Sequence, residues 1–254
     1  MTAMLDRRRF VSSLGHGMLA VHTATRPAPS GLPKGDAHLT ARVGRPSGSI
    51  EPGAHALALG GDRDGMLYVP PQYRPEQPLP LVLALHGATG RGQYQMNGWK
   101  SVADDRGFVV LAPDSRGVTW DVVRGSFGPD VRFVDRALAF AFSRCAVDAR
   151  RLVISGFSDG ASYALSLGLC NGDLFQKIVA FSPGFIVPDE WVGEPKVFLS
   201  HGRSDPILPI EITSRRIIVQ LQRGGYSVTL REFDGVHEVP AAVRAEAADW
   251  MLAR

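Results

Sequence analysis

Leu152-Val153-Ile154-Ser155-Gly156-Phe157-Ser158-Asp159-Gly160-Ala161 runs a short apolar strand, Leu152 to Ser155, straight into an apolar helical stretch, Ala161 to Leu169, with a serine at the turn between them. A serine at so sharp a strand-to-helix turn is held in strained backbone geometry. Side chains two positions either side of it would collide. Glycine is therefore required at 156 and 160, and both positions are glycine.

Working outward, Leu81 to Leu85, Phe108 to Ala112, Ile178 to Phe181 and Val197 to Leu199 are continuously apolar, as strands of a parallel sheet covered on both faces must be. Segments of helical period lie between them: Trp99, Val102 and Ala103; Val131, Val134, Leu138, Ala141 and Phe142; Ile210, Ile217, Ile218 and Leu221; Val243, Ala247, Trp250 and Met251. This alternation predicts an α/β fold, a mostly parallel central sheet with helices on both faces and functional loops at the carboxyl ends of the strands. Ala54 to Leu59 and Met66 to Val69, separated by a Gly/Asp-rich stretch, predict an antiparallel hairpin that opens the sheet.

A serine hydroxyl is a poor nucleophile at neutral pH unless a base lies within hydrogen-bond reach and an acid orients that base. Two downstream segments supply these types at strand ends. Lys196 to His201 leads into Gly202-Arg203-Ser204-Asp205, and Tyr226 to Phe233 leads into Asp234-Gly235-Val236-His237. The expected catalytic set is Ser158 as nucleophile, His237 as base and Asp205 as its orienting acid, with Asp234 and Glu238 competing for the acid's place. His86 and His201 are expected to be hydrogen-bonded scaffold at strand ends.

The chain order serine, aspartate, histidine resembles the α/β-hydrolase superfamily. Within it, Leu85-His86-Gly87-Ala88-Thr89-Gly90, Gly107 to Asp114, Gly156 to Gly160, His201 to Asp205 and Gly235-Val236-His237 are similar to the small capless carboxylesterases. These are the phospholipase/carboxylesterase group and the esterases similar to polyhydroxyalkanoate depolymerases and feruloyl esterases. The resemblance runs from about Asp64 onward and implies hydrolysis of a small or polymeric ester; no cofactor is expected, because no Gly-rich loop has the Walker or dinucleotide form. By motif match it assigns the oxyanion donors to the backbone N–H groups of Ala88 and Asp159. The family more often has a small or amide residue after the nucleophile, so Asp159 is a departure, and its carboxylate is expected to point away from the site. The same triad would serve a thioesterase, peptidase or acyltransferase, and a silent hydrolase-fold binding protein is the reading from another class.

Only fourteen residues, Ser182 to Pro195, separate two central strands, too few for a large cap domain, which predicts a site open to solvent. Trp120 and Phe127 in one flanking segment and Phe185 and Trp191 in the other are the expected substrate-binding walls.

The formal net charge is +3, of which Arg7, Arg8 and Arg9 against Asp6 carry +2, and no basic run recurs. A nucleic-acid partner is not expected. No run of eighteen uninterrupted apolar residues occurs, and no His/Cys/Asp/Glu cluster has metal-ligand spacing. Arg7-Arg8-Arg9-Phe10-Val11 followed by a mildly apolar stretch resembles a twin-arginine export signal, giving an expected signal segment over 1–25 and an exported protein; the alternative is a cytoplasmic one. Residues 26–53, rich in Pro, Gly and Ser, are expected to be a flexible linker, and 54–254 the catalytic domain. Cys145 and Cys170 end the helices before and after the serine's strand, which permits a disulfide, although two separately buried thiols are the leading expectation.

Overall fold

The computed structural model describes residues 26–27 and 36–253; the expected signal segment and residues 28–35 lie outside the described residues. Eight strands form one sheet: β1 (Gly53–Ala56), β2 (Gly65–Val69), β3 (Leu79–Leu85), β4 (Val109–Pro113), β5 (Val147–Phe157), β6 (Lys177–Phe181), β7 (Lys196–Gly202) and β8 (Val228–Phe233). Their spatial order is β1-β2-β4-β3-β5-β6-β7-β8. The first two strands are antiparallel to their neighbours, and the six from β4 to β8 across β3 are parallel.

The helices are α1 (Gly92–Arg106), α2 (Pro129–Arg144), α3 (Asp159–Cys170), α4 (Ser214–Arg223) and α5 (Ala241–Leu252). Side chains alternate along a strand, so β3 feeds both layers. Leu81, Leu83 and Leu85 join a core with residues of α2, α3 and α4, while Val82 and Ala84 join a second core with Trp99 of α1 and Ala247 of α5. α3 is apolar nearly all round because it is nearly all buried.

Register sets the functional edge. Leu85 pairs with Gly156, Phe157 with Phe181, Phe181 with Ser200, and Gly202 with Phe233. The carboxyl ends of β3, β5, β6, β7 and β8 therefore finish level, and the loops that follow them share one rim.

The hairpin forms, but its first strand stops at Ala56 instead of Leu59. Ala58 adopts a positive φ of 53°, and the Leu59 N–H turns onto the Asp64 carboxylate at 3.1 Å. The flexible linker expected over 26–53 is corrected where it is described. Leu39 is fully buried in the core with Ala37 and Ala41. Asn171, remote in sequence, anchors this stretch: its Oδ1 accepts from Leu39 N–H at 2.8 Å and its Nδ2 donates to Ala37 O at 2.8 Å. The Asp135 carboxylate accepts the N–H groups of Thr40 and Ala41, both at 2.7 Å. A Pro/Gly/Ser-rich composition with few apolar residues thus packs because Asp135 of α2 and Asn171, which follows α3, supply the hydrogen bonds that water would otherwise give.

No helix occurs between Ser182 and Pro195. Glu190–Trp191 there pairs with Arg26–Pro27 in a two-residue antiparallel ladder. Cys145 and Cys170 are free and buried, and burial pushes both thiols up to about 12.

Candidate active site

Ser158 stands between β5 and α3 with φ 57° and ψ −121°, a conformation that costs a non-glycine residue about 1–3 kcal/mol. The surroundings hold it there. Its N–H donates to Phe181 O at 2.9 Å, and its carbonyl accepts the first helical N–H groups, from Ala161 and Ser162. A Cβ on Gly156 would lie 2.0 Å from Gly160 O, and one on Gly160 would lie 2.4 Å from both Leu85 O and His86 O. Glycine at both places is forced by contact.

His237 lies in the loop after β8, and its ring packs on Phe157 at 4.8 Å between centroids. Nε2 is 2.9 Å from Ser158 Oγ, and Nδ1 is 2.6 Å from Asp205 Oδ2. The arrangement is consistent only if Nδ1–H donates to the carboxylate and Nε2 accepts from the serine. Asp205 sits in the loop after β7, buried. Burial alone would raise its carboxyl, but the Leu208 N–H, His237 and the Ile207 N–H outweigh that and hold it below the usual carboxylate range. Of its competitors, Asp234 is ion-paired with Arg203 at 2.6 Å, and Glu238 is exposed.

His201 is buried with Nδ1 2.7 Å from Ser214 Oγ and Nε2 2.7 Å from Leu208 O. His86 is likewise buried: Ser115 N–H donates to its Nε2 at 2.9 Å, and Nδ1–H donates to Gly87 O at 2.7 Å. Burial lowers the pKa of both rings, so both are neutral at neutral pH.

The loop after β3 passes directly beside the serine: a Cβ on Gly87 would lie 3.3 Å from Ser158 Cβ. Among the described residues the N–H groups of Ala88 and Asp159 have no backbone acceptor. The Asp159 carboxylate is engaged laterally, its Oδ2 accepting the Thr119 hydroxyl at 2.5 Å. Ala88 follows Gly87 on that loop, and Asp159 opens a buried helix, at whose N-terminus negative charge is favoured.

Of the four aromatics expected as substrate walls, Trp120, Phe127 and Trp191 are buried and Phe185 is half-buried. Trp120 is fully buried, stacked on Tyr163 at 4.9 Å, with its Nε1–H donating to His86 O at 2.7 Å. Phe127 packs into the same cluster on Tyr163. Trp191 is buried against Tyr226, beside the carboxyl end of α3, where Val192 N–H donates to Leu169 O. A twelve-residue helix, about 18 Å, separates that end from Ser158. Phe185 is half-buried against the core, its N–H and that of Gly184 directed at Ser162 Oγ. Aromatic rings in this sheet fill its core because their area gains most there.

The apolar side chains exposed beside the triad are aliphatic. Val118, Ile207 and Val236 expose 67%, 65% and 49% of their surface. They adjoin Thr119, the Asp205 turn and His237 in the chain, and that adjacency was the signal in the sequence that could have found them. Among the described residues no group of three or more His, Cys, Asp or Glu is placed to hold a metal ion.

Residues 131–243, which span Ser158, Asp205 and His237, match the Phospholipase/Carboxylesterase family. Feruloyl esterase C of Emericella nidulans is 27% identical over 157 residues, 59% of this chain and 57% of that protein. The poly(3-hydroxybutyrate) depolymerase of Ralstonia pickettii is 32% identical over 141 residues, 47% of this chain and 28% of its own. This chain therefore spans less than two thirds of the length of these relatives. Among solved structures, esterase PE8 superposes with a TM-score of 0.60 at 21% identity, covering 75% of this chain and 98% of that one.

Proposed function

We propose that this chain, which has the α/β-hydrolase fold, is a serine hydrolase of carboxylic esters that works through an acyl-enzyme. One observation carries the reading: His237 bridges Ser158 Oγ at 2.9 Å and Asp205 Oδ2 at 2.6 Å.

Ser158 Oγ attacks the ester carbonyl as His237 Nε2 takes its proton. The Asp205 carboxylate, fixed by two backbone N–H groups, holds Nδ1–H and stabilises the imidazolium that forms. The carbonyl oxygen gains negative charge between the Ala88 and Asp159 N–H groups, each worth about 3–4 kcal/mol to the transition state. The imidazolium then protonates the leaving alkoxide, the alcohol departs, and a water deprotonated by His237 releases the acid from Ser158. No metal or organic cofactor takes part in this sequence.

The open rim with aliphatic Val118, Ile207 and Val236 suits an ester whose acyl or alcohol part lies across the surface. The names of the relatives, a feruloyl esterase and a polyester depolymerase, support aryl-acyl and 3-hydroxyacyl esters as first substrates to try. Oxygen ester, thioester and amide substrates of one acyl group, assayed side by side, test the bond assignment; preference for the thioester or amide would overturn it.

The unit that folds starts at or before residue 36. Arg7-Arg8-Arg9-Phe10-Val11 supports export by a twin-arginine route. Changing Arg7 and Arg8 to Lys should retain the protein inside the cell, and unchanged export would defeat this assignment.

A further inference from the structure

Three consecutive residues, Val118-Thr119-Trp120, each bond to a different part of the structure around Ser158. Val118 O accepts the Thr89 N–H at 2.7 Å, the Thr119 hydroxyl donates to Asp159 Oδ2 at 2.5 Å, and Trp120 Nε1–H donates to His86 O at 2.7 Å. Two of these bonds bracket the Gly87-Ala88 turn from either side. The third reaches the residue immediately after the serine.

The bracketed turn requires such support. Thr89 has a positive φ of 60°, unfavourable for a β-branched residue, and it keeps that conformation only if its surroundings over-determine it. Trp120 is itself fixed, being fully buried between His86 and Tyr163. The tripeptide is therefore anchored in the core and acts on the two loops from a rigid base.

Asp159 presents a second difficulty that the Thr119 contact meets. In the mechanism proposed above its N–H donates to the developing oxyanion, but its side chain is a carboxylate on the same residue. A carboxylate free to rotate toward the oxyanion would oppose the charge that forms there. The Thr119 hydroxyl holds that carboxylate to one side.

We propose that Val118-Thr119-Trp120 braces the oxyanion hole and that Thr119 is a positioning residue, acting through the Asp159 carboxylate on turnover. This rests on the serine-hydrolase reading above. The Thr119 hydroxyl is engaged by Asp159 Oδ2. Its removal should therefore lower kcat and leave KM nearly unchanged, because an oxyanion interaction is made only in the transition state.

The test uses an alkyl fluorophosphonate, whose P=O oxygen occupies the oxyanion position as Ser158 Oγ displaces fluoride, alongside steady-state hydrolysis of a p-nitrophenyl ester. Thr119→Val should slow both phosphonylation and kcat about tenfold, less than the 10²–10³ lost when a donor is deleted outright. Thr119→Ser, which keeps the hydroxyl, should restore both rates to within about twofold. Thr119→Ala serves in place of the valine variant if the extra methyl is not accommodated. In an Asp159→Ala background the Thr119→Val change should have no further effect, since the group it restrains is gone.

Unchanged rates in Thr119→Val and Thr119→Ala, or an undiminished loss in the Asp159→Ala background, would overturn the brace while labelling of Ser158 left the nucleophile in place. Failure of the probe to label Ser158 in the unaltered protein would overturn the serine-hydrolase reading, and the brace with it.

Discussion

His201 Nε2 lies 3.1 Å from Asp205 Oδ2, the same oxygen that receives His237 Nδ1–H at 2.6 Å. Burial lowers the His201 pKa, so the ring is neutral; with Ser214 Oγ at Nδ1, its proton sits on Nε2, shared between Leu208 O and the carboxylate. A buried neutral histidine thus helps keep Asp205 aimed. Replacing it by Phe preserves the ring and removes both nitrogens. We expect kcat for ester hydrolysis to fall about tenfold with KM little changed, and stability to fall by about 2–3 kcal/mol from the buried partners left unpaired. Unaltered kcat in a folded His201→Phe protein would show that His201 only fills space.

Asp121 and Asp130 are both buried, and each carboxylate caps the other's backbone N–H, at 2.8 Å and 2.7 Å. Burial, against the bond from the Asp130 N–H, pushes the Asp121 carboxyl up to about 6, and burial raises Asp130 as well. A folded-state pKa above the unfolded one gives stability that is whole below about pH 4 and is lost as pH rises through about 6. The loss amounts to about 2–3 kcal/mol by pH 7.5. Asp121→Asn cannot titrate, so its melting temperature should gain on the unaltered protein by about 5 °C between pH 4.5 and 7.5. A difference independent of pH would refute the assignment.

Leu39 and the amides around it tie residues 36–53 to the body of the domain. A chain starting at residue 36 should keep the folded domain, whereas one starting at residue 54 should be markedly less stable or insoluble. Leu39→Ala should cost about 2–5 kcal/mol in denaturant unfolding. Equal stability of the two truncated chains would return this segment to the status of a linker.

A methyl group at 160 would have to occupy space within 2.4 Å of two backbone carbonyl oxygens. Neither can move without shifting β3 or its loop. Gly160→Ala should therefore yield little folded protein, or protein destabilised by more than about 3 kcal/mol and without esterase activity. A stable, active Gly160→Ala protein, seen by circular dichroism and assay, would contradict the account of the turn.

Local pattern made the turn at Ser158, the parallel strands and the positions of Asp205 and His237 legible in the sequence. Each depends on neighbours in the chain: glycines two residues away, an apolar run before, a helical run after. The burial of Trp120 and Trp191 leaves no such local pattern. An aromatic in a loop looks the same whether it faces solvent or is folded beneath its own loop, and only Tyr163 and Tyr226, 43 and 35 residues away, decide it. The docking of Leu39 depends on Asn171, 132 residues on, and the Thr119–Asp159 contact spans 40 residues. Such pairings leave no periodicity behind.

Ester cleavage by Ser158, driven by His237 and Asp205, is directly measurable. The most direct measurement is hydrolysis of a p-nitrophenyl ester series, acetate to palmitate, by the unaltered chain, Ser158→Ala and Asp205→Asn, with folding of each checked by circular dichroism. The unaltered chain should turn over, Ser158→Ala should lose several orders of magnitude, and Asp205→Asn should lose about 10³–10⁴, because the imidazole loses its orienting acceptor. Ester hydrolysis that persists in folded Ser158→Ala, or its absence from the folded unaltered chain, would contradict that role for Ser158.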